Sequence, residues 1–339
     1  MKRRTFLSMA GAASAAAMTG SLMSAGRVFA QGNGRMTFLT PQGYTLAFAD
    51  ILYAQSGGFY AAEGLDVHVE GGRSASQSIQ LVAAKQVDVA RTGGANYMVA
   101  RTETAAPVLA IATIAQVSPF FIISDNTKPI VDPADYIGKT VGMASLGGSM
   151  EATLDLMLRR NGLNPADVRR ERVADTPTGF GLIEAGRLDG FFGNVSTATQ
   201  LGAQGLPITI VPLRDGIPGQ VHVALEEDVN NRPEELAAFI RGTYNAIQDI
   251  LAHQDDLTPV IQSMASAFDI PGADDLPVAI SDLQGNIALW TENGAENVLR
   301  NDPDQWAEGE RLLREAGQIT TDFDGPLYTN EFWDKIHAG

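Results

Sequence analysis

Three glycine-rich corners hold the residues best suited to binding chemistry in this chain. They read Gly71-Gly72-Arg73-Ser74, Thr92-Gly93-Gly94-Ala95-Asn96 and Ser145-Leu146-Gly147-Gly148-Ser149. In each, glycine lets a ligand approach the main chain, and a hydroxyl sits beside the start of an expected helix. Helix N-termini carry unpaired N–H groups and about half a positive charge, so they hold an anion or a polar oxygen. Plain N-capping would use the same residues. Three such corners in one chain, each after a strand, point to a ligand cleft. Arg73 adds a fixed cation suited to a carboxylate or sulfonate. Tyr44, Tyr97, Phe120 and Phe192 lie beside the corners, where each could stack on a flat ligand or serve the core.

Covalent and metal chemistry find little support. No G-x-S-x-G, H-E-x-x-H, Walker A or G-x-G-x-x-G motif stands in its required context. His68, His222, His253 and His337 show no metal-ligand spacing. His68 is expected to face outward from a strand, and His253 and His337 to be solvated. Only His222 falls where the chain would cross between lobes and touch a ligand. Cysteine is absent, which removes disulfides, thiolate metal sites and cysteine nucleophiles.

The elements that position these corners alternate. Short apolar or alternating runs at 36–39, 65–70, 87–90, 108–123, 138–144, 208–211 and 221–225 read as strands, and 171–194 as a further strand-helix-strand unit. Helical stretches are expected over 48–62 (interrupted at Gly57-Gly58), 74–85 and 149–161. From Arg232 onward the chain reads as helices at about 233–252, 257–267, 276–291, 303–316 and 328–337. Ser74 and Gln77 make a capping-box pattern, and Ser149 is the expected cap of its own helix. Strands alternating with helices imply an α/β fold with mostly parallel sheets. One internal echo stands out. Leu81-Val82-Ala83-Ala84-Lys85-Gln86-Val87-Asp88 matches Leu182-Ile183-Glu184-Ala185-Gly186-Arg187-Leu188-Asp189. It fits two similarly built lobes or the ordinary turns of βαβ units. In open α/β sheets ligands bind beyond the carboxyl ends of the strands.

Composition narrows the function. The chain has 339 residues, 24 Lys+Arg against 40 Asp+Glu, and a net charge of −16. That argues against nucleic acid and against docking on anionic lipid. Met1-Lys2-Arg3-Arg4-Thr5-Phe6-Leu7, a small-residue stretch and Arg27-Val28-Phe29-Ala30 read as a signal peptide over 1–30, cleaved after Ala30. The Arg3-Arg4 pair gives it a twin-arginine character. The leader's four basic residues leave the mature chain at −20. No other run reaches membrane-spanning length, so a periplasmic protein without membrane insertion is expected.

Longer segments resemble one family. Gly58-Phe59-Tyr60-Ala61-Ala62-Glu63-Gly64-Leu65-Asp66-Val67 is similar to the "FFxxEGLDV" stretch of the substrate-binding proteins of nitrate, sulfonate, taurine and thiamine-precursor ABC importers. Gly71-Gly72, Gln86-Val87-Asp88-Val89 and Tyr136-Ile137-Gly138-Lys139-Thr140-Val141-Gly142 continue the likeness from about 36 to 252. The resemblance implies two α/β lobes of the type II periplasmic-binding-protein kind, joined by two crossings. Residues 31–118 plus 225–339 would form the first lobe and 119–224 the second. Crossings would lie near 117–120 and 221–224.

The resemblance also implies capture of a small molecule and its delivery to a permease and its ATPase; nothing in the sequence points to a cofactor or metal, and a monomer is the default expectation. Carried over by position, the ligand would meet Gln42, Tyr44, Arg73, Ser74, Thr92, Asn96, Ser145, Gly148 and Ser149, with Asn194 at its strand end. Tyr97, Phe120 and His222 join them from the reading of the residues. The position of Arg73 is commonly small in the family, which leaves room for a ligand other than taurine or nitrate. An organic anion and a neutral thiamine pyrimidine precursor both stay open, as does a sensor that docks on a receptor. An enzyme is disfavoured: the fungal pyrimidine synthase of this fold carries a cysteine-rich iron-binding stretch that this chain lacks.

Overall fold

The computed structural model describes residues 34–144, 146–213 and 215–338. The expected leader at 1–30 lies outside them. Two five-stranded sheets organise the described chain. The first contains β1 (Arg35–Thr40), β2 (Asp66–Gly71), β3 (Val89–Gly93), β4 (Val108–Ala115) and β10 (Gln220–Leu225), in the order β2-β1-β3-β10-β4. The second contains β5 (Phe120–Asp125), β6 (Thr140–Met143), β7 (Arg169–Arg172), β8 (Gly190–Asn194) and β9 (Ile208–Pro212), in the order β7-β6-β8-β5-β9. In each sheet four strands run one way and one runs against them: β10 runs against β3 and β4, and β5 against β8 and β9.

The echoed octapeptides occupy the same place in the two sheets. After the helix Ala75–Ala83 the chain turns through Lys85 at φ 58°; its counterpart Gly186 turns at φ 68°. Each following aspartate then ties down the parallel strand beside its own, β1 in the first sheet and β6 in the second. The Thr37 N–H donates to the Asp88 carboxylate at 2.7 Å, and the Thr140 N–H to the Asp189 carboxylate at 2.8 Å. The repeat therefore has a physical cause: one turn closes each parallel pair.

The apolar run from 108 splits as its Ser118-Pro119 break suggests. All eight residues of β4 are buried, as expected of a strand covered on both faces. The C-terminal helices fall close to the expected spans, at Pro233–Ala252, Thr258–Ala267, Leu276–Trp290, Pro303–Glu315 and Glu331–His337. Phe239, Ile247 and Ile250 of the first of these pack with Ile51 and Leu52 of the helix Ala49–Ser56 in the core of the first sheet. Residues 221–224 differ from expectation. They sit inside the first sheet, with Val221 opposite Thr92 and Ala224 opposite Val89. The return from the second sheet is made just before them, at about 213–219. Among the described residues no helix is long and apolar enough to cross a membrane.

Candidate functional site

The two sheets aim the ends of their strands at one cleft of about 400 Å³. From the first sheet come Pro41–Phe48 after β1, Gly72–Ala75 after β2, and Gly93 at the end of β3. From the second come Phe120, Ala144, Ser149, Met150, Arg172, Asp175 and Asn194. The lobes touch beside it. The Ser76 hydroxyl donates to the Gly147 carbonyl, and the Gly93 main chain lies directly against the Ser149 side chain. On another flank the Ser196 hydroxyl donates to Asp282 at 2.7 Å, joining the helix Val195–Ala203 to the helix Leu276–Trp290.

Of the expected residues, Gln42, Tyr44, Arg73, Ser74, Phe120, Ser149 and Asn194 line this cleft together. Several are already partly committed. Ser74 caps its helix, accepting from the Gln77 N–H at 3.1 Å, while Gln77 accepts from the Arg73 N–H at 2.9 Å. The Asn194 side chain caps Val195–Ala203 through the Thr197 N–H at 3.1 Å. The Tyr44 hydroxyl donates to the Val69 carbonyl at 2.9 Å, which holds the ring edge-on to Phe268. Ser149 is not the cap of its helix. Gly148 takes that place in an extended conformation, leaving Ser149 as the first helical residue, facing Gly93.

The other expected residues lie elsewhere. Thr92 is wholly buried, and its hydroxyl donates to the Ala75 carbonyl at 3.2 Å. Asn96 accepts from the Ser76 hydroxyl at 3.3 Å. The buried Tyr97 hydroxyl donates to the Leu327 carbonyl at 2.6 Å and accepts from the Ala110 N–H at 3.0 Å. Phe192 packs in the core of the second lobe. Gly148 is buried at its helix start and is not among the lining residues. Ser145 lies outside the described residues.

His222 departs most clearly. It has no exposed surface and joins Asp50 and Arg91 in a buried cluster of the first lobe. Its Nε2 lies 3.0 Å from an Arg91 guanidinium nitrogen and 3.3 Å from the Asp50 carboxylate, and burial holds its pKa below the ordinary value. Burial alone would raise the pKa of Asp50, but Arg91 and His222 outweigh it and keep the carboxylate ionised. Arg91 also donates to the Ala47 carbonyl at 2.7 Å and lies 5.1 Å from the centre of the Phe48 ring. Ala47 and Phe48 line the cleft, so this cluster supports its floor.

Sequence reasoning missed Phe48, Arg172 and Asp175. Asp175 follows β7 and accepts from the Asn194 N–H at 3.2 Å, with Thr197 and Gln42 also bonded to it. Desolvation pushes its pKa up to about 6 despite those donors. Behind it, burial pushes Asp282 up to about 7, with Ser196 and Asn286 holding the same carboxylate. The available signal was positional: Arg172 and Asp175 stand where a parallel strand ends. No group of three or more His, Cys, Asp or Glu among the described residues could hold a metal ion.

A sequence model of the NMT1/THI5-like family matches residues 45–257. The riboflavin-binding protein RibY of Chloroflexus aurantiacus is 25% identical over 302 residues, spanning 85% of this chain and 82% of its own. The 4-amino-5-hydroxymethyl-2-methylpyrimidine phosphate synthase of Schizosaccharomyces pombe is 25% identical over 236 residues, spanning 64% and 66%. Among solved structures, the alkanesulfonate-binding protein SsuA of Xanthomonas axonopodis pv. citri, bound to MOPS, superposes with a TM-score of 0.63. It is 13% identical, and the match covers 85% of this chain and 95% of SsuA. The chain thus has the two-lobe binding-protein fold that the sequence led us to expect.

Proposed function

The chain belongs to the NMT1/THI5-like family, and from that premise we propose that it captures a flat heteroaromatic solute between its lobes and passes it to a membrane importer. One observation carries the reading. The strand ends of both sheets converge on a single cleft, and that cleft brings rings from both lobes, Tyr44 and Phe48 on one side and Phe120 on the other. Its volume falls within the range of small-molecule sites. Gln42, Ser149 and Asp175 supply hydrogen-bonding groups around those rings. A two-lobe protein of this kind binds at one lobe, closes by a hinge and buries its ligand.

Several features support capture over catalysis. The riboflavin-binding relative spans most of the chain, and its name denotes a binding protein. The fission-yeast relative is a synthase, but this chain has no cysteine. The leader at 1–30 would place the mature protein, acting as a monomer, outside the cytoplasm beside its permease. The first lobe would comprise about 34–118 with 220–338, and the second about 119–213, with hinges at 116–119 and 213–219.

A thermal-shift panel of riboflavin, 4-amino-5-hydroxymethyl-2-methylpyrimidine, taurine, MOPS and nitrate tests the proposal. A ring compound at 100 times its dissociation constant stabilises the fold by about 2.7 kcal/mol. Stabilisation by taurine, MOPS or nitrate alone would reject the flat-ring reading and keep a solute-binding role. Silence across the panel, followed by turnover of a ring compound, would reject capture itself.

A further inference from the structure

We propose that the solute carries a negatively charged arm, received at the mouth of the cleft by Arg73 from one lobe and Arg172 from the other. The proposal rests on the flat-ring reading above and adds the second half of the ligand.

The argument begins with charge. In a chain of net charge −16, acidic side chains outnumber basic ones. Arg91, Arg101, Arg170, Arg232, Arg241, Arg311 and Arg314 all form ion pairs with acidic side chains. Among the other described arginines, Arg35, Arg73, Arg159, Arg160, Arg169, Arg172, Arg187 and Arg300 form no ion pair with a described carboxylate, and of these only Arg73 and Arg172 line the cleft. Each is exposed, so neither requires an internal counter-charge.

Topology places them as a pair. Arg73 follows β2 and Arg172 ends β7. Those strands are the matching edges of the two sheets. Both crossings leave from the other side of the sheet order, through β4 and β10 of the first sheet and β5 and β9 of the second. The two cations therefore stand at the end of the cleft away from the crossings. The rings of Phe48 and Phe120 are almost wholly buried, and the half-buried Asp175 is tied to the Asn194 main chain. An acid inward and two guanidinium groups outward give the cleft a polarity that suits a ring with an anionic substituent. Guanidinium groups bind phosphate and carboxylate through paired hydrogen bonds, and two of them from opposite lobes would favour the closed arrangement.

The test is calorimetry on the full mature chain with matched probes: riboflavin against flavin mononucleotide, and 4-amino-5-hydroxymethyl-2-methylpyrimidine against its phosphate. In at least one pair the phosphorylated member should bind tenfold or more tightly. The Arg73→Gln/Arg172→Gln variant should narrow that gap to about threefold, and raising salt from 0.05 to 0.5 M should narrow it in the wild type. Both side chains are exposed, and circular dichroism checks that the variant folds. Equal or tighter binding of the neutral members overturns the charged arm and leaves the flat-ring reading standing. A phosphate advantage that survives the double variant overturns the assignment to these arginines. No binding by any of the four probes overturns both readings.

Discussion

Replacing Gly93 by alanine tests whether the lobes must meet for the site to work. The backbone there (φ −78°, ψ 144°) suits any residue, so alanine brings no conformational strain. Its methyl group, however, would lie 2.1 Å from the Ser149 Oγ and 2.4 Å from the Ser149 Cβ. Turning the hydroxyl aside relieves the first clash and not the second. Ordinary contact begins near 3.4 Å, so the start of the helix Ser149–Arg160 must retreat by about 1 Å. Gly93 belongs to the first sheet and Ser149 to the second lobe, so that retreat parts the lobes at the cleft. Overpacking of this size costs about 1–3 kcal/mol, and the cost falls on the closed arrangement. Affinity that depends on closure then drops roughly 5- to 150-fold. Calorimetry with the tightest-binding probe measures it. Adding Ser149→Gly to the same chain removes the obstructing Cβ, and the double-mutant cycle should show a coupling of at least about 1 kcal/mol. Undiminished affinity in Gly93→Ala, or a defect that Ser149→Gly leaves unrepaired, would refute the reasoning.

Three further outcomes follow from the same geometry. Arg91→Met strands the Asp50 carboxylate in the core and should cost about 3–5 kcal/mol in chemical denaturation; a loss below 1 kcal/mol would show that the buried cluster carries little. Tyr97→Phe removes a hydroxyl shared by Leu327 and Ala110 far from the cleft, so it should lower stability by about 1–2 kcal/mol while leaving ligand affinity unchanged by calorimetry. Asp282 has a folded pKa near 7 against 3.8 for the free side chain, so the folded state binds its proton more tightly than the unfolded state does. Its penalty is absent below about pH 4, grows as pH rises to 7, and reaches at most about 4 kcal/mol. Asp282→Asn should therefore melt above the wild type at pH 8, with the gap closing toward pH 4. Asp175 and Asp215 share that sign and remain in the variant, so some decline with pH should persist.

The architecture was legible because it follows local rules. The Asp88 and Asp189 turns are short-range devices, and their likeness in sequence reflects the same bond to a neighbouring strand. The corners at 72–74 and 147–149 could be placed for a similar reason: glycine followed by a hydroxyl marks a strand giving way to a helix. Side-chain direction was less accessible. Thr92 and Gly93 are adjacent, yet only Gly93 meets the cleft, because successive strand residues face opposite ways. Tyr97 and His222 depend on partners 230 and 131 residues away, which no local pattern reveals. Asp175 was hidden for the opposite reason: an acid in a turn is commonplace until a second lobe closes over it.

The route of the chain through its sheets bears on how the molecule assembles. All five strands of the second sheet come from the single stretch 120–212, whereas the first sheet needs β10 at Gln220–Leu225 wedged between β3 and β4. During synthesis, four of the five strands of the first sheet must wait with an interior strand missing while the entire second lobe is made. An excised piece covering 119–213 has every strand it requires and should fold alone; one covering 34–118 leaves β3 and β4 with unpaired edges and should not.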